Sequence, residues 1–321
     1  MEIYPTMWIT LALVIVVLLL GGVGVYLLRV PQRAVALAGG TLAHRQLATG
    51  RLVRRYDTYV PGELVPDAPL VIVLHGARQD PQAIRALVGG ALEHQARLCG
   101  FAVAYPAAHQ GYWDDGYTQA HYRARVLDRD DSGFIEGLIT AMSAEHAVDP
   151  QRVYVLGYCT GGQMAYRLAL EMAQQLAGVA VIAAGLAAED NLEVAATDLP
   201  IPMLIVNGTA DRITPFEGGA TGLLGQHDHG TVRSAQASAQ HFAALAGADQ
   251  YQAEEQPAHA SAKLTPLRTT WSNAHGPAVV LYAVQGGGHV LHQPYARQPR
   301  WLGSMNPGFD VAACACRFWG L

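Results

Sequence analysis

One stretch constrains this chain more than any other: Val153-Tyr154-Val155-Leu156-Gly157-Tyr158-Cys159-Thr160-Gly161-Gly162. Its first four residues read as a buried strand. Met164, Leu168 and Met172 then recur at helical spacing, which predicts a helix from Gln163 to about Ala177. Between strand and helix, Gly157, Cys159 and Gly161 match a small-x-nucleophile-x-small elbow, with cysteine in the nucleophile's place. The residue on such a turn is strained, and its neighbours must be small for strand and helix to pass. The helix start also aims free N–H groups at the reacting centre. Taken alone, the motif competes with a buried, inert cysteine, since free cysteine is among the most buried residue types.

The rest of the chain repeats the strand-then-helix alternation. Strands are predicted at 54–60, 70–74, 101–105, 153–156, 179–183, 202–206 and 278–284. Helices are predicted at 82–98, 131–146, 163–177, 232–245 and 310–319. Asp131 fits the N-cap of its helix. The run Leu70-Val71-Ile72-Val73-Leu74 is apolar throughout, as for a strand covered on both faces. This alternation predicts an α/β fold: a mostly parallel, doubly wound sheet with helices on both faces. Sites in such sheets form at the carboxyl ends of strands. His75, Cys159, Asp211 and His289 each follow a predicted strand directly.

Three of these residues have a chemistry in common. Cys159, Asp211 and His289 occur in the chain order of the α/β-hydrolase nucleophile, acid and base. His289 would take the thiol proton, and Asp211 would hold the imidazole in the right tautomer. Two backbone N–H groups, those of Thr160 and Ala77, would receive the oxyanion. Gly286-Gly287-Gly288 lets the backbone run close to a site just before His289, although three glycines also suit a plain flexible turn. The loop holding Tyr112, Trp113, Asp114, Asp115 and Tyr117 is too polar and aromatic for core, so it is expected at a surface or cleft. Trp113, His75 and Tyr158 are the candidate substrate-binding side chains. His75 is also expected to order its loop.

Composition narrows the alternatives. The net charge is −5 with only 15% charged residues, so no nucleic-acid surface is expected. Four cysteines are too few for a disulfide scaffold. Cys314 and Cys316 suit a core role, or a bridge from one of them to Cys99, better than a metal. His227-Asp228-His229 lacks a third ligand at fitting spacing, and neither metal nor cofactor is expected.

The N-terminus carries a different signal. Trp8 to Leu28 is an apolar run of 21 residues, long for an export-signal core and long enough for a membrane helix. The expected organisation is an N-terminal transmembrane anchor in residues 1–30, a linker at 31–50 and the catalytic domain at 51–321. Membrane contact would run through residues 8–28. Arg29, Arg33 and Arg45 follow the run and no basic residue precedes it, which places the body in the cytoplasm.

From residue 54 onward the chain resembles the polyhydroxybutyrate depolymerase-like esterases, which include feruloyl and acetylxylan esterases. The matching residues are Tyr59-Val60-Pro61, Leu74-His75-Gly76, Ala104-Tyr105-Pro106 with Trp113, Gly133-Phe134-Ile135, Asp149 through Tyr154, Gly161-Gly162 through Ala165-Tyr166, Gly208-Thr209-Ala210-Asp211 and Gly286 through His289. The resemblance implies an α/β-hydrolase that cleaves small or polymeric carboxylic esters. It also implies an extracellular or periplasmic domain, against the charge flanks. The family's nucleophile is serine, and here it is Cys159. The family pattern also carries a cysteine near Gly247-Ala248, and this chain has none there. Two other functions compete with the esterase. Polyhydroxyalkanoate synthases place cysteine in a G-x-C-x-G-G elbow, which suggests an acyltransferase using thioesters. A membrane-anchored binding module without activity is the third.

Overall fold

The computed structural model describes residues 5–28, 39–50, 52–120, 129–222, 230–256 and 264–321. His227-Asp228-His229, where no metal is expected, lies outside the described residues. After helix α1 (Pro5–Leu28) come strands β1 (Gly40–Thr49), β2 (Leu52–Pro61) and β3 (Ala68–Leu74). Helices α2 (Pro81–Leu87) and α3 (Ala91–Cys99) lead to β4 (Ala102–Pro106), α4 (Asp131–His146) and β5 (Val148–Tyr158). Then follow α5 (Thr160–Glu171), β6 (Gly178–Ile182), β7 (Met203–Gly208) and the short pair β8 (Gly219–Ala220) and β9 (Thr231–Val232). Helix α6 (Ala235–Leu245), strands β10 (Gln250–Glu255), β11 (Pro266–Asn273) and β12 (Gly276–Val284), and helix α7 (Val311–Trp319) close the chain.

Ten strands form one sheet in the order β1-β2-β4-β3-β5-β6-β7-β12-β11-β10. The six central strands, β4 to β12 in that order, run parallel, and antiparallel pairs finish both edges. Every residue of β3, β4, β6 and β7 is buried, because helices cover both faces. One face packs Phe134, Met164, Tyr166 and Phe242 from α4, α5 and α6. The other packs Ile84, Leu92, Cys316 and Trp319 from α2, α3 and α7. The expected α/β-hydrolase sheet is therefore present, with β5, the strand that leads to Cys159, in the middle.

Several expectations change. The predicted helix over 82–98 is two helices, because Gly89 and Gly90 adopt φ of 61° and 72°. The expected linker holds β1, which pairs along its whole length with β2. Asp130, not Asp131, caps α4 by accepting the Gly133 N–H at 2.7 Å. Asp131 instead forms a buried ion pair with Arg54 at 2.6 Å. Cys99, Cys314 and Cys316 are free thiols, so the alternative of a bridge gives way to the core role. Burial raises the Cys316 thiol to about 12.

The membrane anchor is also overturned. Among the described residues no helix is long and apolar enough to cross a membrane. The end of α1 is tied instead to the body of the protein: Arg300 donates to Tyr26 O at 3.0 Å, and its guanidinium lies 4.0 Å over the Tyr26 ring. The expected single-pass placement over 8–28 falls, and with it the cytoplasmic placement read from its charge flanks.

The break between α2 and α3 gives a test. A Cβ on Gly89 would lie 2.8 Å from Tyr295 Cβ, at a φ that L-residues avoid. Gly89→Ala is expected to lower stability by about 2 kcal/mol in urea unfolding.

Candidate active site

Strand β5 reaches α5 through Cys159, which has φ 56° and ψ −123°. Non-glycine residues enter such a conformation only when their surroundings hold them there. Cys159 N–H donates to Ile182 O at 3.0 Å, and Cys159 O accepts the N–H groups of Gly162 and Gln163 at 2.8 and 3.1 Å. Small neighbours make the turn possible. A Cβ on Gly157 would lie 2.1 Å from Gly161 O, and one on Gly161 would lie 2.2 Å from Leu74 O. The helix starts directly after Cys159, three residues before the sequence pattern suggests. Gly161 and Gly162 belong to its first turn, because that turn presses on the ends of β3 and β5. The Cys159 side chain is partly exposed.

His289 and Asp211 come from the turns after β12 and β7, which are adjacent parallel strands. The two turns are bonded to each other: Thr209 N–H reaches Val284 O at 3.0 Å, and Ala210 N–H reaches Gly287 O at 2.9 Å. His289 Nδ1 donates to Asp211 Oδ2 at 2.8 Å. The other Asp211 oxygen accepts the Ile213 and Thr214 N–H groups at 2.8 and 2.9 Å. Both side chains are buried. Burial pulls the imidazole toward its neutral form. The Cys159 sulfur and the Asp211 carboxylate outweigh that pull and raise the ring well above the ordinary histidine value. Nε2 is buried and makes no hydrogen bond of standard geometry to a described residue.

The loop after β3 packs on the nucleophile turn, since a Cβ on Gly76 would lie 3.2 Å from Cys159 Cβ. Two successive peptides of this loop are fixed in orientation. The His75–Gly76 peptide accepts Trp113 Nε1–H on its oxygen at 2.8 Å and donates its N–H to Gln79 Oε1 at 2.9 Å. The oxygen of the Gly76–Ala77 peptide accepts from His75 Nδ1 at 2.8 Å and from Gln79 N–H at 3.2 Å. Its N–H, on Ala77, has no acceptor among the described residues, nor has that of Thr160.

The three expected substrate-binding side chains do not line an open surface. Trp113 and His75 are fully buried beneath the Gly76–Ala77 loop. Tyr158 is 3% exposed and donates its hydroxyl proton to His289 O at 2.8 Å. The loop expected at a cleft is core-facing at Trp113, Asp115 and Tyr117, because its aromatic N–H and O–H groups satisfy backbone carbonyls inside the protein. Gln79 and the Arg54–Asp131 pair went unnoticed in sequence, where nothing marks a lone glutamine or an ion pair 77 positions apart.

A positioned acid–base pair beside a strained, partly exposed thiol, at the carboxyl edge of this sheet, defines an α/β-hydrolase. Residues 92–254 match the dienelactone hydrolase family. A protein of Nocardia uniformis subsp. tsuyamanensis named "Putative esterase NocK" is 32% identical over 265 residues, covering 79% of this chain and 75% of that protein. Poly(3-hydroxyalkanoate) depolymerase C of Paucimonas lemoignei is 31% identical over 134 residues, 40% of this chain and 30% of its own length. Among solved structures, acetyl xylan esterase from Aspergillus awamori superposes with a TM-score of 0.54 at 14% identity, covering 87% of this chain and 99% of that one, which shows a shared fold. The chain belongs to the dienelactone hydrolase family, and it is an esterase-type hydrolase.

Acid tests the buried rings. His75 Nε2 accepts the Ala108 N–H at 3.0 Å and His292 Nδ1 accepts the Asn306 N–H at 3.0 Å, so each ring is held neutral. Burial lowers both to about 4. Unfolded histidine titrates near 6.5, so the unfolded chain binds these protons first. Their contribution is complete above about pH 6.5 and is lost as pH falls through about 4, at about 3 kcal/mol per ring. Urea midpoints are expected to fall between pH 7 and pH 4. His292→Asn, whose amide oxygen takes the place of Nδ1 and can keep the Asn306 bond, should remove a large share of that fall.

Proposed function

We propose that the protein hydrolyses carboxylic esters through a Cys159–His289–Asp211 triad and an acyl-thioester intermediate. Nε2 of His289 takes the thiol proton, and Sγ attacks the acyl carbon. The carbonyl oxygen becomes an oxyanion facing the N–H groups of Thr160 and Ala77, at the start of α5. The C–O bond breaks, and the imidazolium returns the proton to the departing oxygen. Water then repeats the cycle: His289 takes its proton, hydroxide attacks the thioester, and Sγ leaves to recover its proton. Asp211 keeps the Nδ1–H tautomer throughout and stabilises the charged ring. The observation that carries this reading is the conformation of Cys159: a φ of 56° held on three backbone bonds puts this partly exposed cysteine at the sheet edge that also holds the bonded His289–Asp211 pair.

Sulfur also narrows the substrate class. Thiolate leaves a tetrahedral intermediate more readily than alkoxide, so attack on a simple alkyl ester tends to reverse. Aryl and enol esters, lactones and thioesters carry leaving groups good enough to go forward. The name of the Paucimonas lemoignei relative brings hydroxyalkanoyl esters into the acyl range to be tested.

Two measurements test the proposal. Cys159→Ala is expected to lower kcat/KM on 4-nitrophenyl acetate by about 10^3-fold or more. A variant with the parent rate would end the triad reading. The parent should favour 4-nitrophenyl acetate over ethyl acetate more strongly than Cys159→Ser does. Equal preference in the two proteins would remove the leaving-group argument.

A further inference from the structure

Arg54 and Asp131 lie deep in the molecule, 4% and 0% exposed. Each is two hydrogen bonds removed from the loop that carries the Ala77 N–H. Arg54 Nη2 donates to Ala107 O at 3.1 Å. The N–H of that same peptide, on Ala108, donates to His75 Nε2 at 3.0 Å. Asp131 Oδ2 accepts the Asp114 N–H at 2.7 Å, beside Trp113, whose indole N–H holds His75 O at 2.8 Å.

These bonds dictate a tautomer. An N–H pointing at Nε2 leaves that nitrogen only its lone pair, so the ring proton is on Nδ1. Nδ1 therefore donates to Gly76 O, 2.8 Å away. A peptide whose oxygen is held on one side must present its N–H on the other. For the Gly76–Ala77 peptide, that other side carries the Ala77 N–H.

We infer that the buried Arg54–Asp131 pair, acting through the Ala107–Ala108 peptide and the Nδ1–H tautomer of His75, sets the orientation of the Gly76–Ala77 peptide and so presets one oxyanion donor. Arg54, Asp131 and His75 are positioning residues. The inference rests on the triad reading above for its effect on turnover, but not for the tautomer.

The test separates the oxyanion donor from the nucleophile. Alkylation of Cys159 by iodoacetamide needs an available sulfur and forms no oxyanion, whereas ester turnover needs both. The double variant Arg54→Met/Asp131→Leu removes both charges together and leaves neither unpaired, which favours a folded product. It is expected to lose about 10- to 100-fold in kcat on 4-nitrophenyl acetate, with little change in KM and an alkylation rate within about twofold of the parent. Arg54→Lys, which keeps a cation beside Asp131, should recover part of the loss. A folded double variant with the parent kcat overturns the inference, as does an equal fall in turnover and alkylation. If the double variant does not fold, nitrogen-15 NMR of labelled histidine decides. The parent must show His75 in the Nδ1–H form, and Arg54→Lys must show a measurable share of the other tautomer. An Nε2–H form in the parent, or an unchanged Nδ1–H form in Arg54→Lys, overturns it. A Cys159→Ala variant that retains the parent rate instead defeats the triad reading, and the histidine spectrum still judges the tautomer.

Discussion

The backbone of Cys159 is the constraint from which the site is built. A φ of 56° costs on the order of 1–3 kcal/mol, and a short turn cannot hold it unaided. The surrounding structure holds it with bonds on both sides of the residue. The N–H is fixed by Ile182 on the next strand, and the carbonyl by the first turn of α5. Those bonds require the helix to start directly after Cys159, which brings its first turn against the ends of β3 and β5. Glycine at 157 and 161 follows from that contact, where carbonyl oxygens occupy the place of a side chain. The strain is thus the consequence of sheet, turn and helix being packed as one unit.

The same logic governs the remaining groups. The sheet sets β3, β5, β7 and β12 in parallel, so the turns after them meet at one edge although they are far apart in sequence. What the edge then fixes is orientation. Asp211 has one oxygen for the ring and one for two backbone N–H groups, so it cannot rotate away from His289. Tyr158 holds the His289 carbonyl from the nucleophile strand itself. Both peptides of the loop after β3 are held by side chains at their polar ends. Groups held this way need little reorganisation when charge develops, and this is where electrostatic catalysis draws its strength.

How far this was legible in the sequence depends on whether the decisive contact is local. The elbow is local: an apolar strand, spaced glycines and a periodic helix fall within some twenty residues. Asp211 and His289 were legible through strand ends and glycine-rich turns, without any knowledge of their 2.8 Å contact. The loop at 112–117 faces the core at Trp113 and Tyr117, against expectation, because these polar aromatic residues are satisfied by remote partners, Trp113 by His75 and Tyr117 by Gly185. Strands β1 and β10 were missed because they are edge strands whose side chains are mostly exposed, so hydrophobic alternation is weak. The apolar run at the N-terminus was read as an anchor on hydropathy alone, which says nothing of how the segment packs.

The buried ion pair shows why such a centre needs more than favourable contacts. Burial raises the Asp131 carboxyl above its ordinary value, and the Arg54 guanidinium with the Asp114 N–H recovers only part of that shift. Replacing a buried ion pair by an apolar pair of similar volume is often neutral or stabilising. What charges add is direction: an apolar pair fills space but cannot tell a peptide which way to turn. Arg54 lies over the Phe134 ring at 4.2 Å, and its Nη2 faces both Asp131 and Ala107 O, so its place and the direction of that nitrogen are specified. On the inference drawn above, charge in this core orients, carrying a fixed geometry through the Ala107–Ala108 peptide and the His75 imidazole to the loop after β3.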